Sequence, residues 1–555
     1  MVAHNAGFSR EERVDLATKE FERKNMVKKF ILGFSALLSA ASLVQAADYY
    51  LAPTGSATAS GTEAAPFFTL NQAVSVVAPG DTIYMRGGTY FYNSTQIINQ
   101  SGGAESPIRL FAYPGEHPVL NFTNQPDNFT ATEANNNNRG ILIKTNASYW
   151  HIKGLEISWA GDNGMKVEGS HVTIELCTFH HNGDTGLQIG FGHTTENPGG
   201  LLAAFILVTN CDSYLNFDFK TKGGDADGFA AKMHCGQGIV FSGCRSWHNS
   251  DDGWDLFETD YGVTITNCWQ WHSGDGTDFM PFFTAKTGGS GSFQGNGNGL
   301  KLGGDGAGGP SLGIHVVANC VAFNNKYKSN ANGITQNSHH DGQIIYNTFS
   351  FSNAAYNFFF EDAQNSGKRL IFKNCIAWWK VGSSASYATN PAVTEFPAGA
   401  VDQNNSWNLP VSATGADFAT LTEEAAGTPR QADGSLPNNG FARLVAGSDL
   451  IDKGQDVGTP SSGAAPDLGA FEFGVGAAPV ISFEGSLVFQ GQGGGGSLQL
   501  KIKGLTGHGP VIVQVSSNLV DWTSTFTNPP VTGSLSFADL SASGNRLRFY
   551  RAQEL

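Results

Sequence analysis

Charged side chains are scarce in this sequence: Asp, Glu, Lys and Arg make up only 15% of 555 residues, against about 25% in an ordinary globular domain. That composition excludes a disordered, a collagenous or a coiled-coil chain. Basic residues are the scarcer sign, 33 Lys and Arg against 48 Asp and Glu for a formal charge of −15. The overall basic footprint that nucleic acid or anionic lipid requires is therefore missing, and any polyanion has to be bound locally. Beyond the first 46 residues no stretch approaches the roughly 18 uncharged apolar residues of a membrane span. What the chain has in quantity is Gly (70) and Phe (39), with 40% hydrophobic residues, which suits a large, turn-rich β protein.

Residues 26–47 place Lys28 and Lys29 before an apolar run from Phe30 to Val44 and the small-residue signal Val44-Gln45-Ala46. This is the pattern of a secretory signal peptide. Residues 1–46 are expected to be an upstream extension plus that peptide, with Met26 as the true start, and the product to be exported to the periplasm or the medium.

Seven cysteines in an exported protein invite a search for disulfides. Six of them recur in one context: Leu176-Cys177, Asn210-Cys211, Gly243-Cys244, Asn267-Cys268, Asn319-Cys320 and Asn374-Cys375, with Asn347-Thr348 in the same slot. Three positions on come Tyr214, Trp247, Trp271, Phe323, Phe351 or Trp378, and five positions on come Asn182, Asn216, Asn249, Asn325 or Asn353. Columns of like residues at fixed offsets are what stacked β-coils produce, each rung about 4.8 Å above the last. The cysteines are read as a buried thiol stack.

A second column reads Asn163-Gly164-Met165, Thr185-Gly186-Leu187, Asp227-Gly228-Phe229, Asp252-Gly253-Trp254, Asn298-Gly299-Leu300 and Asn332-Gly333-Ile334, a tight turn entering a short strand. The shortest intervals, 22 residues from Asn163 to Thr185 and 25 from Asp227 to Asp252, give one coil; the 46 from Asp252 to Asn298 need an inserted loop, supplied by the Gly/Ser-rich stretch 274–297. The expectation is an all-β parallel β-helix of about ten or more coils over residues 47–474. Thr69 to Val77, with Leu70, Ala73, Val74 and Val77 at helical spacing, would plug its N-terminal end, and Asp467 to Glu472 would close it. Residues 479–555, with alternating strands such as Leu498 to Ile502 and Val511 to Val515, form a separate small β-sandwich-like domain, in which Trp522 serves the core or stacks on a sugar.

Registering the second column gathers chemistry that no single motif shows. Asp227 and Asp252 take equivalent places on successive coils, Asp251 adjoins the latter, and Asp255 shares an outward column with Lys301 on the adjacent coil. For an isolated Asp-Gly pair a plain turn is the better explanation, and a lone Lys301 would be a solvated lysine. Four carboxylates gathered on a partly exposed surface need a cation, and four hard oxygen ligands suit Ca²⁺, whereas zinc would want His or Cys. Asp225 is a candidate helper. The pairs His180-His181 and His339-His340 lie on other faces and are read as turn or stacking residues. A metal clamped on a carboxylate acidifies the adjacent carbon, and Lys301, its pKa lowered by metal and burial, would be the base. On a uronic-acid polymer that chemistry is β-elimination, faster toward alkaline pH.

These residues resemble the polysaccharide lyase family 9 pectate lyases, across about residues 48–474. The resemblance is carried by Tyr49-Tyr50-Leu51-Ala52-Pro53, Pro79-Gly80-Asp81-Thr82-Ile83-Tyr84, Asp225-Ala226-Asp227-Gly228-Phe229-Ala230, Ser250 to Leu256, Asn298 to Gly304 and Asp467-Leu468-Gly469-Ala470. It implies a right-handed parallel β-helix in which Asp227, Asp251, Asp252 and Asp255 bind a catalytic Ca²⁺ and Lys301 is the Brønsted base. The implied substrate is polygalacturonate, or another uronate polymer, and a monomer is expected. The long segment before Lys301, with Phe279-Met280-Pro281-Phe282-Phe283, and residues 479–555 depart from the resemblance. Two rivals stand beside it: a β-helix hydrolase using paired carboxylates without metal, and a non-catalytic glycan-binding β-helix with a structural Ca²⁺.

Overall fold

The computed structural model describes residues 46–126, 138–190, 202–289, 291–304, 313–378, 392–474, 482–488, 497–506, 511–516, 523–529, 531–539 and 549–554. The expected signal peptide and Trp522 lie outside the described residues. From Asp48 onward the chain winds through three parallel sheets of twelve, ten and nine strands. Each full coil gives one strand to each sheet in turn: Val172–Glu175 to the first, Thr178–His180 to the second, Leu187–Ile189 to the third, and Ile206–Thr209 to the first again. Pairing is parallel and in register throughout, for example Val172 with Ile206 and Phe179 with Ser213. In the first-sheet strands alternate residues turn inward, so that Val172, Ile174, Ile206, Val208, Ile239 and Phe241 join one continuous core.

The corners explain the sequence columns. The residue before each cysteine slot is in the left-handed region: Leu176, Asn210, Gly243, Asn267, Asn319, Asn347 and Asn374 have φ of 56°, 53°, 67°, 51°, 55°, 46° and 58°. Asparagine tolerates that conformation best after glycine, which is why the slot so often reads Asn-Cys. All seven cysteines are free and buried. The Cys177 N–H donates to Cys211 Sγ at 3.4 Å, Cys244 to Cys268 at 3.4 Å, Cys268 to Cys320 at 3.5 Å, and Cys320 to Thr348 Oγ1 at 3.5 Å, so the Thr348 rung keeps the acceptor without a thiol. The asparagine column is a ladder of the same kind. Asn182 N and Nδ2 donate to Asn216 Oδ1, and Asn216 N and Nδ2 to Asn249 Oδ1. Where Ser273 interrupts it, Gln270 exchanges two hydrogen bonds with Asn325 at 2.8 and 2.7 Å.

In the second column the glycines answer to crowding rather than to turn geometry. None of Gly164, Gly186, Gly228, Gly253, Gly299 and Gly333 has a positive φ. A Cβ on Gly228 would strike Ser246 Oγ and the Gly253 carbonyl of the next coil, and one on Gly253 would strike Gln270 and the Gly299 carbonyl.

The N-terminal end is plugged by the helix Leu70–Val74, shorter than the nine residues expected. Thr69 and Gln72 form its capping box, and Leu70, Ala73 and Val74, with Val77 beyond the last turn, enter the core. The inserted stretch at 274–297 is not the irregular loop expected but contains a helix, Gly276–Thr287. Asp275 caps it, left-handed Gly288 (φ 62°) ends it, and Phe279 and Phe283 bury one face. There they join Phe217 and Phe219.

The closing segment covers a side of the β-helix, not its end. Residues 405–474 run back over the outer face of the second sheet, where Phe418, Phe441, Leu444, Leu450 and Leu468 pack on Trp269, Phe323, Phe349 and Phe351. Arg430 pins this strap, its Nη2 2.6 Å from Asp212 Oδ1 and 2.9 Å from the Cys211 carbonyl, while Arg245 holds the same carboxylate at 2.7 Å. Glu423 of the strap accepts from His272 Nδ1 at 2.8 Å and Asn324 Nδ2 at 2.8 Å. His272 also meets Asp275, and His248 meets Asp278. The two imidazoles stack with centroids 3.7 Å apart at 25°. Nearly parallel rings do not aim their in-plane lone pairs at one point, so this group is an ion-pair clamp. The pairs His180-His181 and His339-His340 also sit in stacks or short contacts, His180 on Tyr214 and His339 on His315.

At the C-terminus, Ser482–Val488, Ser497–Thr506 and Thr532–Asp539 form one antiparallel sheet, and Val511–Ser516, Thr523–Asn528 and Phe549–Glu554 another. Leu500, Ile502, Leu505, Phe537, Val511 and Val513 make a core between them.

Candidate active site

The site grows from one rung position of the third sheet. Just before each glycine of the second column the coil needs an acceptor for a backbone N–H of the next coil. Asn332 N donates to Asn298 Oδ1 at 3.0 Å, Asn298 N to Asp252 Oδ1 at 2.8 Å, and Asp252 N to Asp227 Oδ1 at 3.2 Å. Asn298 and Thr185 meet that need without a charge, Thr185 Oγ1 accepting the Asp227 N–H at 3.2 Å. Asp227 and Asp252 meet it equally well and add a charge the ladder does not require. Two residues into the strand, Asp255 pairs in register with Lys301 on one side and Ala230 on the other.

Carboxylate oxygens of Asp227, Asp252 and Asp255 lie within 4.8 Å of one another. Asp251 stands beside them, its Oδ1 accepting the Asn296 N–H at 2.6 Å. The surface expected to be partly exposed is buried: Asp227, Asp251, Asp252 and Asp255 are 0%, 2%, 0% and 3% accessible. Lys301 Nζ is 3.3 Å from Asp252 Oδ2 and 3.4 Å from Asp255 Oδ2. The Asp225 side chain points away to solvent, and its backbone N–H is tied to Asp218. A residue the column pattern does not show completes the cluster: Lys232 Nζ lies 2.7 Å from Asp227 Oδ2 and 3.4 Å from Asp255 Oδ2. Its only sequence signal is its place one residue past the strand Phe229–Ala231.

Burial pushes Asp227 up to about 7, against Lys232 and with help from Asp255 and Asp252. Burial also raises Asp252 against the pull of Lys301, and raises Asp251 well above its ordinary value. At Lys301 burial acts in the direction expected from the sequence, but the carboxylates act against it. Burial would lower its pKa, but Asp252, Asp255, Asp251 and Asp227 outweigh burial and raise it. Lys301 opens on a cleft of about 320 Å³ whose walls are mostly amides and hydroxyls, Asn296, Asn298, Asn332, Thr335 and Asn337 among them. Lys232 is not among the cleft's lining residues.

The donor set fits a hard divalent cation. It consists of carboxylates alone, and buried Asp252 Oδ2 takes no hydrogen bond beyond its ion-pair contact with Lys301. The model of the Pel9A-like, right handed beta helix region matches residues 49–366. The chain belongs to this Pel9A-like family. Among its relatives, pectate lyase L of Dickeya chrysanthemi is 36% identical over 431 residues, 76% of this chain and 90% of that one. Pectate lyase PEL9 of Emericella nidulans is 31% identical over 446 residues, 77% of this chain and 98% of that one. The crystal structure of pectate lyase Pel9A superposes with a TM-score of 0.64 at 34% identity, covering 77% of this chain and 96% of that chain. The Pel9A-like chain is thus a right-handed parallel β-helix and a polysaccharide lyase. The hydrolase and non-catalytic readings left open by the sequence lose their ground. No helix among the described residues is long and apolar enough to cross a membrane.

Proposed function

We propose that this chain is a secreted, calcium-dependent pectate lyase that cleaves polygalacturonate by β-elimination, with Lys301 as the base. The names of its relatives support the substrate. The observation that carries the mechanism is the pairing of Asp255 and Lys301 in register, which sets an ammonium at the mouth of a cleft and against three convergent carboxylates. Asp227, Asp251, Asp252 and Asp255 would hold the ion. Bound Ca²⁺ supplies charge neutralisation for a uronate carboxylate and so makes the proton on the adjacent C5 removable. Lys301 Nζ, in its neutral form, takes that proton, and the 4-O-glycosidic bond breaks to leave an unsaturated sugar. The carboxylates that hold Lys301 charged are the ones an ion would neutralise. Amides and hydroxyls of the cleft are suited to orienting sugar hydroxyls, and the buried floor excludes water from the base.

The division into a catalytic β-helix of residues 47–474 and a C-terminal domain of 479–555 belongs to this proposal, as does export with removal of residues 1–46. The deciding test is ultraviolet absorbance with polygalacturonate at alkaline pH. We expect growth of absorbance with Ca²⁺, none with a chelator, and none in Lys301→Ala. New reducing ends without absorbance would mean hydrolysis. Absorbance only with a different uronate polymer would move the substrate and keep the reaction.

A further inference from the structure

Lys232 is a second ammonium inside the carboxylate cluster, sharing Asp255 with Lys301 and differing from it in its other contacts. Its three donors are met by three acceptors: Asp227 Oδ2 at 2.7 Å, Asp255 Oδ2 at 3.4 Å and the Asp225 carbonyl at 3.4 Å. Its side chain is 8% accessible against 14% for Lys301, which lines the cleft. The outward column reads Gln188, Ala230, Asp255, Lys301. With only a methyl at 230, the coil below offers Asp255 no partner, and Lys232 reaches in from the following turn to supply one. Asp255 Oδ2 is thereby bracketed by two ammoniums at equal distance, 3.4 Å each.

The charge balance gives this bracket a meaning. Four carboxylates against two ammoniums leave two negative charges, the charge of one divalent ion. A fixed cation in contact with two of the ligands stabilises them when the ion is away and repels the ion when it arrives. We propose that Lys232 is a resident counter-cation of the metal site: it holds Asp227 and Asp255 together without a divalent ion, and it loosens the grip on that ion when bound. It is a positioning residue, acting through its carboxylate partners. The inference rests on the calcium reading above.

Calorimetric titration of Ca²⁺ into chelator-stripped protein, with melting curves in chelator and in excess Ca²⁺, tests it on wild type, Lys232→Met and Lys232→Gln. The Gln variant replaces the ammonium with a shorter, uncharged amide that can still donate a hydrogen bond, which covers the case in which Met does not fold. We expect the variants to melt lower than wild type in chelator, to bind Ca²⁺ at least about tenfold tighter, and to gain more in melting temperature from Ca²⁺. Unchanged or weaker affinity, with the same loss of melting temperature in chelator and in Ca²⁺, would make Lys232 a structural residue and overturn the proposal. No binding heat and no Ca²⁺ shift in the wild type would overturn the calcium reading itself, and this inference with it.

Discussion

The second and third sheets are built from the same coils and end in opposite states. On the second, the outward ladder of Tyr214, Trp247, Trp271, Phe323 and Phe351, with neighbouring rings 4.6 to 5.8 Å apart, is largely sealed beneath the strap. The buried carboxylate of Asp212 there is met by two guanidiniums, Arg245 and Arg430. On the third, the run of like residues is interrupted at the coils of Asp227, Asp252 and Lys301, where charge enters and burial is left partly uncompensated. The lesson is that repetition in a β-helix serves stability, and the rungs that break the repeat with charge mark the place where the molecule works.

The comparison breaks most sharply at Lys301. Lys301→Ala is expected to lower the rate of absorbance growth by about 10²–10⁴-fold and to leave the circular-dichroism spectrum unchanged. On the sealed face the effects should appear in stability alone. Arg430→Ala leaves a buried carboxylate with one partner where it had two, and opens the carbonyls of Cys211 and Gly243. It should cost about 3 kcal/mol in denaturant unfolding, with turnover at 25 °C unaffected. Asn216→Ala removes the acceptor of Asn182 and two donors of its own; about 1–3 kcal/mol is expected.

The smallest effect separates the faces by pH. Burial lowers the pKa of His272, but Glu423 and Asp275 overcome burial and raise it above the ordinary value. The stability contributed by that proton is fully present below the ordinary histidine pKa of about 6.5 and is lost as pH rises through the raised value. The melting advantage of wild type over His272→Gln should therefore shrink toward alkaline pH, while turnover, if Lys301 acts as the base proposed above, rises. An advantage that grows with pH would refute this assignment.

Much of this was legible in the residues because a stacked coil writes each rung's geometry into the sequence at a fixed offset. The Asn-Cys slot reports a left-handed corner, and Asp255 and Lys301 could be paired by counting from their glycines. Lys232 escaped because it reaches the cluster from outside the column. The helix Gly276–Thr287 reads as loop in the sequence because Pro281 and its Gly/Ser-rich flanks mask it, although Asp275, Gly288 and the i, i+4 pair Phe279/Phe283 are its signals. Strap residues 405–466 carry no repeat that could be counted. The burial of the four aspartates, and with it the raised pKa of Lys301, depends on neighbouring turns such as Asn296 that no register argument places.

The strap also imposes an order on how the molecule comes into being. Arg430 reaches Asp212 across 218 residues of chain. A polypeptide long enough to contain the four clustered aspartates, Lys301 and Phe349 still presents Trp269, Phe323 and Phe349 uncovered, because Phe418, Phe441 and Leu468 have yet to be made. Coils can stack one upon the next as they emerge, but the sealed flank is finished from the far end backward, and during that interval the nascent chain carries a sticky aromatic face in need of shielding.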